Sequence, residues 1–96
     1  MTRDDVLAWL DTRRPAPPAA LRAQIDRAVT GAAAPLPAHF ADLGRALLGR
    51  VASRPQGGRE LALDLLAADA FITYAFEAQA EEDVGGVARL AEGVIP

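Results

Sequence analysis

The sequence predicts an all-α fold, a compact bundle of four main helices plus a short C-terminal helix, with residues 1–96 forming a single domain. Three observations predict it. The stretch RELALDLLAADAFITYAFEAQA, Arg59 to Ala80, is almost uninterrupted helix former and apolar residue. Clusters of proline and glycine divide the remaining chain into helix-length pieces. No segment alternates apolar and polar residues with the period of two that a half-buried strand requires.

The first helix is predicted over about Arg3 to Thr12. Thr2 and Asp5 stand at the spacing of a capping box, and Met1 and Val6 at that of a hydrophobic staple. Val6, Leu7, Trp9 and Leu10 supply its packing, and Pro15, Pro17 and Pro18 end it. The second helix is predicted over about Pro18 to Thr30, because proline is welcome in a first turn. Leu21, Ile25, Ala28 and Val29 form its apolar stripe, and Gly31 is the expected C-cap. Pro35 and Pro37 mark the loop that follows.

The third helix is predicted over about Ala38 to Ser53, with Phe40, Leu43, Leu47 and Val51 on one face. Gly44 on that face would permit a close helix crossing. Arg50 and Arg54 suit the negative end of this helix, and Pro55 stops it. Helix 4, about residues 59–82, is expected to be central. Stepping 100° per residue puts Leu61, Leu65, Ile72 and Phe76 on one face and Leu63, Phe71 and Tyr74 on roughly the opposite one. A helix apolar on two faces is either the centre of a bundle or half of an oligomer interface. The sequence reading therefore expects Leu65, Ile72 and Phe76 to be almost inaccessible, and Leu65→Ala to cost about 2–5 kcal/mol. The acidic run Glu81-Glu82-Asp83 suits a helix start better than a helix end, so a break is placed near Asp83. A short fifth helix would then carry Val84, Val87, Leu90 and Ala91.

Composition excludes several kinds of chemistry. There is no cysteine, which removes disulfides, thiolate metal sites and thiol catalysis. The ten basic residues are all arginine, as in a GC-rich bacterial coding sequence, so no lysine can form a Schiff base or grip a phosphate. Net charge is −3, which gives no global field for nucleic acid or an acidic membrane. Asp64, Asp69, Glu77 and Gln79 make the 61–80 stretch costly in hydrocarbon. The N-terminus lacks a basic region followed by an apolar run, so it does not read as a signal peptide. These features predict a cytoplasmic protein that contacts neither nucleic acid nor membrane.

Candidate polar sites are few. His39 with Asp42 could begin a metal site but has no second ligand pair in the sequence pattern, so no metal and no cofactor is expected. Asp69, Thr73 and Glu77 lie four residues apart on one strip of helix 4, and they read as its solvated edge. Asp64 neighbours Ala68, Phe71 and Ala75, and burial there demands a partner, most simply an arginine of helix 2 or 3. Arg45, Arg50, Arg54 and Arg59 gather near the turn between helices 3 and 4, without an interleaved aromatic to stack on bases.

No catalytic set emerges. The leading expectation is a non-enzymatic interaction module or accessory subunit, bound to a protein partner or to itself as a homodimer. Its interface residues would be Leu63, Phe71 and Tyr74, left uncovered by helices with few large side chains. The alternative is a small-molecule-binding bundle, its apolar pocket lined by Phe40, Phe71, Tyr74 and Phe76. Phe40 and Phe76 would then be ligand anchors, together with Arg45 as the cation.

Overall fold

Thr2 closes the first helix in the way its spacing predicts. Its Oγ1 accepts from the Asp5 amide at 3.2 Å, and the Asp5 carboxylate accepts from the Thr2 amide at 2.9 Å. That reciprocal pair satisfies two donors that a helix start leaves orphaned, a feature worth about 0.5–2 kcal/mol. The amide bond from Thr2, followed by its hydroxyl contact, holds the Asp5 carboxyl below its usual value.

The computed structural model describes residues 1–53, 57–83 and 87–94, and places in them α1 (Arg3–Leu10), α2 (Ala19–Ala28), α3 (Leu36–Ala52), α4 (Arg59–Glu82) and α5 (Val87–Val94). The described residues contain no strand. The expected positions of Arg54, Pro55 and Val84 fall outside the described residues. The radius of gyration, 13.1 Å, is close to the roughly 12–13 Å of a compact chain of this length. The bounds of α4 match the sequence reading. Helix α3 starts two residues earlier than expected, at Leu36, because Pro37 fits its first turn, while Pro18 stands just outside α2 as its N-cap. Helix α2 stops at Ala28. Val29 turns extended (φ −69°, ψ 132°) and is itself buried, so Gly31 is not a C-cap.

Side chains from elsewhere tie down that early exit from α2. Arg3 donates from Nε to the Val29 carbonyl at 3.1 Å and from Nη2 to the Asp26 carbonyl at 2.8 Å. A guanidinium thus meets the unpaired carbonyls and the negative dipole of the helix end. Buried His39 binds the Thr30 carbonyl through Nε2 at 3.1 Å. Met1 and Ala32 exchange backbone hydrogen bonds at 3.2 and 2.9 Å. Met1 is therefore held by its backbone, and its side chain stays largely exposed rather than forming a buried staple.

Helices α3 and α4 run antiparallel and form the principal packed pair, with α2 and α5 laid against α4. Phe40 of α3 is fully buried at the centre of an aromatic cluster. Its ring centroid lies 5.1 Å from Trp9, 6.0 Å from Phe71 and 6.0 Å from Tyr74. Gly44, one turn on, lies close against α4. A β-carbon there would sit 2.7 Å from Ile72 Cδ1 and 3.2 Å from the Ala68 carbonyl oxygen. A side chain there would press on α4, so the glycine eases the crossing.

The arrangement of α4 corrects the sequence reading. Its buried face is Asp64, Ala67, Ala68, Phe71, Tyr74, Ala75 and Ala78. Four of these seven are alanines, whose small side chains let neighbouring helices come near, as α3 does at Ala68. Ranking faces by their large residues therefore picked the wrong one. Phe71 and Tyr74 point into the core, while Leu63 is only partly covered. Ile72 and Phe76 are also partly covered, and Leu65 is 50% exposed. With half its surface wet, Leu65→Ala should cost less than about 1 kcal/mol instead of the cavity-forming 2–5.

Candidate functional site

Three ion-paired ties knit the outer helices to the bundle. Arg22 of α2 bonds Asp26 at 2.7 Å and Asp11, just past α1, at 2.8 Å. Burial works against its charge, yet the bonds to Asp26 and Asp11 outweigh that and raise its pKa. Arg13 stacks over the Trp9 ring at 3.9 Å and reaches Glu77 at 3.3 Å and Glu81 at 3.4 Å on α4. Arg45 pairs with Asp42 and donates to the Gly93 carbonyl of α5 at 2.6 Å. Arg45 therefore holds α3 to α5.

The buried carboxylate of Asp64 accepts from the amide of Gln24 on α2, and the Gln24 carbonyl oxygen accepts from Arg27. An arginine of helix 2 thus supports Asp64 through a glutamine, a link the sequence reading did not contain. Glutamine carries both a donor and an acceptor, which is the signal that fits it for a relay. Phe40 and Phe71 are sealed in the core, and Phe76 is partly covered. Asp69 and Thr73 are exposed, while Glu77 turns to Arg13. Among the described residues, no group of three potential metal ligands comes together, and no helix is long and apolar enough to cross a membrane.

Tyr74 has a consequence for pH dependence. Burial first, and the charge of Glu77 second, raise its pKa above the ordinary 10. The unfolded chain therefore loses this proton at lower pH than the folded chain does. Stability is unaffected below pH 10 and falls as pH climbs beyond it. Tyrosinate absorbance near 295 nm, followed with circular dichroism, should show ionisation delayed to the pH at which helix is lost. Tyr74→Phe should weaken this alkaline sensitivity.

Two surfaces stand out among the described residues. The first is the outward face of α4. Leu65 and Leu66 are 50% and 52% exposed in mid-helix, and Leu48, one turn along α3 from the Gly44 crossing, is also exposed. Ala62, Asp69 and Thr73 complete the exposed strip around the leucines. Among the described residues neither Arg59 nor Asp69 is ion-paired, though both flank the leucine pair.

The second surface is an open groove of about 520 Å³ between α1, the 32–36 segment and the end of α4. Its floor holds Trp9, Leu36 and Ala78, and its rim holds Glu81 and Glu82. The Trp9 indole donates to Glu81 Oε1 at 3.0 Å. The last turn of α4 carries two glutamates and no basic residue, the wrong sign for the dipole at that end. Compared with known proteins, the chain matches no family model, no curated protein and no solved structure.

Proposed function

We propose that the protein is a non-enzymatic helical interaction module that pairs with a second copy of itself through the outward face of α4. The observation that carries this reading is the half-exposed Leu65–Leu66 pair. Two large apolar side chains kept wet in the middle of the longest helix gain most from burial by a partner. The strip also suits a twofold axis. If two α4 helices cross antiparallel with the axis between Leu65 and Leu66, each leucine meets the other's counterpart. Arg59 then falls opposite Ile72 of the second copy, about 4.5 Å along the axis from its Asp69 at 1.5 Å per residue. Opposite charges would close both ends of an apolar centre, as a self-complementary interface requires.

A charge swap tests this arrangement. Arg59→Asp and Asp69→Arg should each weaken pairing by about two- to thirtyfold, since each substitution acts at both ends of the interface. The double variant should recover most of the loss, read by sedimentation equilibrium. Failure of either single variant to change the dissociation constant would reject the antiparallel register.

A further inference from the structure

We infer that α1 is a charge-fastened latch, which opens as a unit from a bundle of α2–α4 that stays folded, at a frequency set by ionic strength. Its opening is independent of pairing through the outward face of α4. A helix of eight residues does not persist alone in water. It is held helical by docking, with Val6 and Leu10 buried beneath it. The residues between α1 and α2 form no helix or strand and include Pro15, Pro17 and Pro18. The two helices are therefore not continuous, and α1 can leave without unwinding α2.

The fastening around that apolar underside is ionic. Between residues 2–13 and the rest of the described chain, each hydrogen bond has a charged group on one side. Arg3 meets the end of α2, Asp11 meets Arg22, and the Trp9 indole meets Glu81. Arg13 is the bolt. Its guanidinium lies over the Trp9 ring and reaches both Glu77 and Glu81 of α4. Met1 adds a backbone exchange with Ala32. Solvent reaches the carboxylates of Asp11, Glu77 and Glu81, so salt screens these pairs. Helices α3 and α4 are joined instead through Phe40, Phe71 and the close approach at Gly44, contacts that carry no charge to screen. Salt therefore loosens α1 ahead of the α3–α4 pair. On opening, Phe40 and Tyr74 lose the Trp9 ring, whose centroid lies 5.1 and 5.9 Å from theirs. An aromatic surface hidden in the closed bundle then faces water.

Native-state hydrogen exchange on the intact chain, followed by nuclear magnetic resonance across a series of low urea concentrations, tests the latch. The hydrogen-bonded amides of Val6, Asp11 and Arg13 report on α1 and its exit, and those of Phe71 and Ala75 on the core of α4. The α1 amides should open about a hundredfold more often than the α4 amides, with a shallower dependence on urea, as a part of the fold that opens by itself does. Raising sodium chloride from about 0.1 to 1 M, which shortens the Debye length from roughly 10 to 3 Å, should increase α1 opening about three- to thirtyfold. Arg13→Gln at low salt should have an effect of similar size. Arg14→Gln is the control, because the Arg14 guanidinium bonds only the Asp11 and Arg13 carbonyls, and it should change α1 opening by less than about twofold. Equal protection and equal urea dependence in α1 and α4 would overturn the proposal, as would α1 opening that ignores salt or responds equally to Arg13→Gln and Arg14→Gln.

Discussion

Phe40→Ala should cost about 3–5 kcal/mol, the range for truncating a buried aromatic. The ring is fully buried and lies within 6.0 Å, centroid to centroid, of Trp9, Phe71 and Tyr74. Removing it empties the place where α1, α3 and α4 meet. A chain of this size has about 5–15 kcal/mol of stability in all. The variant should therefore melt far below the wild type and lose the near-ultraviolet signal of Trp9 first. Leu65→Ala, by contrast, should move the denaturant midpoint little. If the two variants lost equal stability, the assignment of inner and outer faces of α4 would be wrong.

Gly44→Ala should also destabilise, despite alanine's advantage of about 1 kcal/mol within a helix. The new methyl group would overlap Ile72 Cδ1, at 2.7 Å, and press on the Ala68 carbonyl oxygen at 3.2 Å. The first neighbour is the flexible end of a side chain and can rotate away. The second is helix backbone and cannot, except by separating α3 from α4. Overpacking of this kind costs about 1–3 kcal/mol. Truncating the neighbour isolates the effect. In an Ile72→Ala background the same Gly44→Ala change should cost nearly as much, because the contact with the Ala68 carbonyl remains. Urea unfolding of the four species gives the coupling energy directly. A cost that vanished in that background would mean that Ile72, and not the α4 backbone, sets the helix spacing.

The helical pieces were legible because their punctuation is local. The Thr2–Asp5 box, the proline stops and the long apolar run of α4 each act within a few residues of sequence. The facing of α4 was not legible in the same way. Ala67, Ala68, Ala75 and Ala78 contribute little transfer energy individually, so a reading weighted by large side chains passes over them. Small size matters where helices come close, as at Ala68 beside Gly44, and only the paired helices reveal it. Leu63, Phe71 and Tyr74 were expected as an interface, yet Phe71 and Tyr74 have become core, and the exposed apolar pair is Leu65 and Leu66. The groove beside Trp9 could not be read locally either. It joins Trp9, the 32–36 segment and the end of α4, segments far apart in sequence. The run Glu81-Glu82-Asp83 ends α4 despite a charge unfavourable for a helix end, and Arg13 and Arg89 come to two of its carboxylates from elsewhere in the chain.

The central claim is that the outward face of α4 joins two copies of the chain. Light scattering on the wild type and on a Leu65→Arg, Leu66→Arg variant, at micromolar concentration, tests it most directly. Both substitutions fall at half-exposed positions, so the bundle should keep its helical signal and cooperative unfolding. The wild type should have twice the chain mass, consistent with an interface burying more than about 1,000 Å² in total, and the variant should be a folded monomer. A wild type that is monomeric throughout this range, or a variant that remains dimeric, would contradict the account.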